Sequence, residues 1–196
     1  MSLYLAQDAD ADALLDHDPF ALLLGMMLDQ QIPMEKAFFG PKLLAERMGV
    51  ERLDPADIAR HDPETFAKIF AGPPAIHRFP GAMAARAQAL ARVVWEQYGG
   101  DAAAIWQEVK SGDQLLKRLS ELPGFGEQKA RIFLALLGKQ RGVRPRGWRT
   151  AAGAYGDDGI YHSVADVTGA ESLQKVRAFK KEMKAAAKQA ARKPAR

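Results

Sequence analysis

The feature that most constrains this chain is the five-residue break Leu122-Pro123-Gly124-Phe125-Gly126, set between two strongly apolar helical runs. Upstream, Leu115, Leu116, Leu119 and Leu122 recur at helical spacing behind Gly112-Asp113; downstream, Ala130 to Leu137 is apolar except for Arg131. Proline fixes one dihedral and removes a donor, and the two glycines permit backbone conformations closed to other residues. The two runs must therefore form a tight pair of helices joined by a rigid corner, with Phe125 anchoring the turn in the core. The rest of the chain has to be built around that pair.

It reads as helical throughout. Asp8–Asp16 predicts a short helix, Asp18-Pro19 a capped start for the apolar run Phe20–Leu28, and Met34–Met48 a helix closed by Gly49. Asp54-Pro55 and Asp62-Pro63 repeat the cap-and-proline signal. Met83, Ala87, Leu90, Ala91, Val94, Trp95 and Tyr98 mark an amphipathic helix stopped by Gly99-Gly100. Residues 139–160, rich in Gly, Arg and Pro, predict a long loop with at most a short helical turn. Ser163 is placed to cap a turn, and Ser172 to about Ala190 predicts a last helix with Leu173, Val176, Phe179 and Met183 inward, followed by a frayed tail over 191–196. The expected fold class is all-α, a two-lobed helical bundle. A single domain over 1–196 would hold a central lobe at about 18–140, including the hairpin at 112–138. Residues 139–196 would pack with the N-terminal segment as the second lobe.

Apolar residues make up 47% of the chain, enough for a sizeable core. The chain has no cysteine, which excludes disulfides, thiolate zinc sites, cysteine nucleophiles and cysteine-held iron–sulfur clusters. Single, scattered histidines argue against a metal site. No run reaches the length of a membrane span, and the first residues lack the pattern of a signal peptide, so a cytoplasmic, monomeric protein is the expectation. Charge is split: residues 1–109 hold 9 Lys/Arg and 16 Asp/Glu, whereas residues 110–196 hold 19 and 8. A basic half joined to an acidic half points to a polyanion met from one side, with nucleic acid the leading candidate. The glycine-flanked start of the second hairpin helix suits this: its unpaired N–H groups, at the positive end of the helix dipole, receive a phosphate oxygen without reading base sequence.

The stretch Leu122-Pro-Gly-Phe-Gly-Glu-Gln-Lys-Ala130 resembles the signature hairpin of the helix-hairpin-helix–GPD superfamily of base-excision DNA glycosylases. Asp18-Pro-Phe-Ala-Leu-Leu-Leu-Gly-Met-Met-Leu-Asp-Gln-Gln31 and Ala82–Gly100 are similar to the family's early segment and to its helix before the hairpin, so residues 15–140 fit in order. The resemblance implies an endonuclease III-like but divergent member without the iron–sulfur cluster. It would be a hydrolase that flips a damaged or mispaired base out of double-stranded DNA and cuts its glycosidic bond. It implies no cofactor beyond a monovalent cation at the hairpin. Gln30 and Gln31 would enter the DNA helix, and Pro123, Gly124, Phe125, Gly126, Gln128 and Lys129 would meet its backbone. The lysine nucleophile of the strand-cleaving members falls at Gln128 here, with Lys129 rotated about 100° around the helix. Lyase activity is therefore not expected. The family's aspartate, about eighteen residues further on, falls near Arg146, and no carboxylate lies between Glu127 and Asp157. Asp157 and Asp158 are the substitutes if the loop folds back, with Asp166 more distant. Lys139 to Arg149 holds five basic residues, no acid and Trp148. Arg144, Arg146 and Trp148 are thus candidate contacts to a DNA strand, Trp148 alternatively a cover for the core. A catalytically silent protein that recognises distorted duplex is the competing expectation.

Overall fold

A computed structural model describes residues 2–192, and 193–196 of the expected frayed tail lie outside the described residues. Ten α-helices follow in order, with no strand among the described residues: α1 Ala9–His17, α2 Pro19–Leu28, α3 Met34–Met48, α4 Pro55–Arg60, α5 Pro63–Ala71, α6 Pro80–Tyr98, α7 Gly112–Ser120, α8 Glu127–Gln140, α9 Trp148–Ala152 and α10 Ala170–Arg192. Short 3-10 turns lie at Ala102–Ile105, Gly153–Gly156 and Val164–Asp166. None of these helices is long and apolar enough to cross a membrane.

The Asp–Pro pairs act as the sequence predicts. Asp18, Asp54 and Asp62 each accept backbone N–H groups from the first turn of α2, α4 and α5, with proline just inside. Asp18 does more, because its second oxygen accepts from Leu53 N at 2.9 Å and ties the start of α2 to the approach of α4. Two helices form the centre. Every residue of α2 from Phe20 to Leu28 is buried, and α8 is buried from Phe133 to Gly138. Around α2 pack α1 and α3, with Gly25 letting the α3 ring of Phe38 approach so closely that a Cβ there would lie 2.7 Å from it. Helices α4 and α5 cover α6, while α7 and α9 cover α8. One continuous apolar cluster runs from Leu3 to Val176.

The region after α8 is more ordered than a loop. Arg144 Nε donates to the Gly138 carbonyl, Gly112 N to the Arg146 carbonyl and Arg131 Nη1 to the Ala151 carbonyl. These bonds fold residues 141–147 back over α7 and α8 and set up α9. Arg141 reaches Asp16 at 2.6 Å, joining this region to α1. The last helix departs from expectation in a different way. Leu173 and Val176 are buried, but Met183 is 54% exposed and the described residues from Lys180 to Ala191 are all exposed. Phe179 is half-buried against His162, and beyond it the helix turns no further described residue into the core.

Candidate functional site

The corner between α7 and α8 is held from beneath and open above. Phe125 N donates to the Leu122 carbonyl at 3.0 Å, and the buried Phe125 ring meets Phe133 edge-on at 5.9 Å. Gly124 has φ +84, and a Cβ on it would lie 2.7 Å from Met27 Cγ of α2 and 2.8 Å from Arg86 Cδ of α6. Glycine is needed there on both counts. Gly126, by contrast, has an ordinary φ of −80 and nothing within 4 Å of its Cβ position. It caps α8 without a side-chain acceptor, and Gly126, Glu127 and Gln128 are exposed. The first N–H groups of a 14-residue helix thus face outward with no protein partner from a capping side chain. Such an end attracts an anion.

Beside this corner lies the C-terminal end of α2, which is pinned by three neighbours. Lys129 Nζ of α8 donates to the Met27 carbonyl at 2.8 Å, and Gln30 Nε2 donates to the same oxygen at 3.1 Å. Buried His77 places Nε2 3.0 Å from the Gln30 carbonyl while its Nδ1 accepts from Phe79 N. That second bond fixes the tautomer, so Nε2–H is the donor. Burial holds the His77 imidazole below its ordinary pKa. The chain then turns through Gln31 at φ +57, a left-handed conformation that a non-glycine residue adopts at a cost of roughly 1 kcal/mol. Of the two glutamines, Gln30 is folded back on its own helix, while Gln31 is exposed. On the neighbouring loop the exposed ring of Phe79 lies under the Arg78 guanidinium.

Between the α2 end, the start of α8 and α10 is a cavity of about 340 Å³. Asp29, Gln128, Tyr155, His162 and Lys180 give its polar groups, and Ile132, Val164, Phe179 and Met183 its apolar wall. Gln128 Nε2 donates to the Tyr155 hydroxyl at 2.9 Å, and His162 stacks on Phe179 with 4.0 Å between ring centres. Burial raises the Asp29 carboxyl above the usual carboxylate range, against the pull of Lys180 and Lys129 and with Glu35 adding to the rise. Burial also lowers the Lys129 ammonium from 10.5 to about 8, with Arg86 adding to the fall and Asp29 opposing it. A carboxyl whose pKa is raised by burial and an ammonium whose pKa is lowered to about 8 therefore lie at the junction of α2 and α8.

No protein-family model and no curated protein matches this chain.

Several residues singled out in the sequence lie elsewhere. Asp158 pairs with Arg149 at 2.9 Å on the surface, its side chain 77% exposed, and Asp157 is likewise exposed; neither lines the cavity with Asp29. Asp166 is a structural acid: it binds Lys139 at 2.6 Å and accepts from His162 N and Ser163 N. Trp148 is not free to stack on a ligand. It is 8% exposed and lies over Gly138, where a Cβ would come within 2.4 Å of its ring, so it covers α8. Arg144 is exposed but bound to the Gly138 carbonyl, and Arg146 is exposed at the edge of the same surface. The corner residues Pro123, Gly124 and Phe125, with Gly126, Gln128 and Lys129, do fall together beside the α2 end.

Asp29 is the functional candidate that sequence reasoning missed. It had one signal: it is the single carboxylate between Asp18 and Glu35, placed where an otherwise apolar helix stops. Its meaning depends on α8 and α10 closing over it, which no local pattern reports.

Proposed function

We propose that this protein is a monofunctional base-excision DNA glycosylase of the helix-hairpin-helix kind, acting on damaged or mispaired bases in double-stranded DNA. The observation that carries the reading is the adjacency of the bare α8 N-terminus and the cavity that bears Asp29. Gln128, on the first turn of α8, lines that cavity while the N–H groups beside it face solvent. A phosphate held at this helix end would bring its own nucleotide to the cavity mouth, as extrusion of a base requires. A volume of about 340 Å³ has room for one nucleobase. Exposed Gln31 follows the α2 end, and exposed Phe79 is tied to it through His77, so either is a candidate polar or aromatic side chain to fill a vacated stack. The basic half supplies further phosphate contacts, led by Arg146 and by the lysines of α10.

Strand-cleaving lyase chemistry is not part of the proposal, because Lys129 is engaged with the Met27 carbonyl and does not line the cavity. The test is incubation of purified protein with duplexes carrying single lesions, followed by alkali. Alkali-labile breaks at the lesion support a glycosylase. Absence of breaks on every lesion, with tighter binding to an abasic-analogue duplex than to intact duplex, would instead make the protein a silent reader of distorted DNA.

A further inference from the structure

Seven acidic residues are buried or partly buried among the described residues, and six of them have donors. Asp8 accepts from Ala11 N and Lys42; Asp12 from Leu5 N and Ala6 N; Asp16 from Leu3 N and Arg141. Asp18 accepts from three backbone N–H groups, Glu35 from Arg177, and Asp166 from Lys139 and two backbone N–H groups. Each therefore has at least one protein donor to its carboxylate. Asp29 is the exception. Its carboxylate lines the cavity beside apolar side chains, accepts no hydrogen bond from another described residue, and keeps its oxygens open to the solvent of the cavity. The nearby ammonium of Lys129 gives its hydrogen bond to Met27 instead.

From this contrast we infer that Asp29 is the proton donor for the reaction in this cavity, and that the base it releases is uncharged. The inference rests on the glycosylase reading. A neutral base is a poor leaving group, because its nitrogen departs as an anion unless a proton arrives with the electron pair. In the step, the C1′–N bond breaks with its electron pair going to the base, and the Asp29 carboxyl proton goes to the base. Water forms the new C1′–O bond, and its surplus proton restores the acid. A carboxyl without protein donors keeps its proton to higher pH than a paired one, and burial moves Asp29 in the same direction. Charges facing the group agree with an uncharged substrate. Lys129 of α8 and Lys180 of α10 approach it, against Glu35 of α3 alone, and His162 lines the same cavity. With Asp29 protonated this surround is net positive, which disfavours a base alkylated to a cation. Such a base would also need no proton to leave.

The experiment is single-turnover release between pH 5 and pH 9 from two sets of duplexes, one carrying uncharged damaged purines and pyrimidines and one carrying cationic N-alkylated purines. Native protein should release a base from the uncharged set, with a rate that falls up to tenfold per pH unit above the pKa of the acid. Asp29→Asn, close to isosteric, should lose about 100-fold or more at the acidic end and show a flat profile. Its binding to an abasic-analogue duplex should be unchanged. Release confined to the cationic set, or the same pH slope in native and Asp29→Asn proteins, would overturn the proton-donor role and leave the glycosylase reading intact. A pH-independent rate in the native protein would do the same without any variant. No release from either set would overturn both.

Discussion

Lys129 costs this protein stability at neutral pH, by an amount that can be worked from its surroundings. Its ammonium is held at a pKa of about 8 against an ordinary 10.5, chiefly by burial. At 1.36 kcal/mol per unit, that displacement corresponds to about 3 kcal/mol of differential interaction. The sign follows from proton linkage. Below pH 8 both folded and unfolded chains carry the proton, and the folded state bears the full cost of a shielded cation. Between pH 8 and pH 10.5 the unfolded chain binds more protons, so stability rises with pH; above that range both are neutral and the cost is gone. Substitution by Met removes the charge while keeping the length and apolar stem. The Met27 carbonyl is not orphaned, because Gln30 Nε2 still donates to it. Urea unfolding of native and Lys129→Met proteins at pH 7, 8, 9 and 10 would report the effect, since the titrations of groups not coupled to Lys129 cancel in the difference. Native protein should gain roughly 2 kcal/mol on the variant between pH 8 and pH 10. Parallel stability curves across that range would refute the reasoning and leave Lys129 an ordinary ammonium. In DNA binding the variant should be weaker despite its relief from this cost, because a phosphate at the α8 end would favour the charged form.

Three further outcomes follow from the same geometry. Gly126→Leu should leave the midpoint of urea unfolding nearly unchanged, since nothing lies near its Cβ position, yet weaken duplex binding by obstructing the α8 N-terminus; unaltered affinity would contradict that contact. Gly124→Ala should instead destabilise the fold, by roughly 1–2 kcal/mol for the left-handed backbone alone and more for the overlap with Met27, measured by the same unfolding. Trp148→Ala should cost roughly 3–5 kcal/mol from the cavity left over Gly138, with duplex affinity retained wherever the variant is folded; a lost affinity in a folded variant would restore Trp148 as a ligand contact.

What was legible in the sequence was local. Asp18-Pro19, Asp54-Pro55 and Asp62-Pro63 announce their helices because cap and first turn lie within four residues. The corner at Leu122–Gly126 was legible for the same reason, and so was the exposure of Gly126 ahead of an uncapped helix. The role of Trp148, core or ligand, was not legible because its partner, Gly138, lies ten residues back on another helix, and only the return of residues 141–147 brings the two together. That Lys129 stands one residue past Gln128, and so is rotated around α8, was legible, but its destination was not. The offset sends the ammonium inward to the end of α2, a contact made across 102 residues of sequence. Asp29 needed the most assembly. It lies on the cavity only because α2, α8 and α10 converge there, and its want of a donor appears only when every other shielded carboxylate has been paired.

The central claim is that one surface grips DNA at the α8 N-terminus while the adjoining cavity cuts a glycosidic bond. Its most direct test is alkali-labile strand breakage at single lesions, measured for native protein beside Asp29→Asn and Gly126→Leu under the same single-turnover conditions. The account predicts breakage at a lesion by the native protein. It also predicts near-complete loss in Asp29→Asn with duplex affinity kept, and loss in Gly126→Leu through weakened affinity that higher protein concentration restores. Native protein that breaks no lesion, or an Asp29→Asn variant that cuts as fast as native, would contradict it.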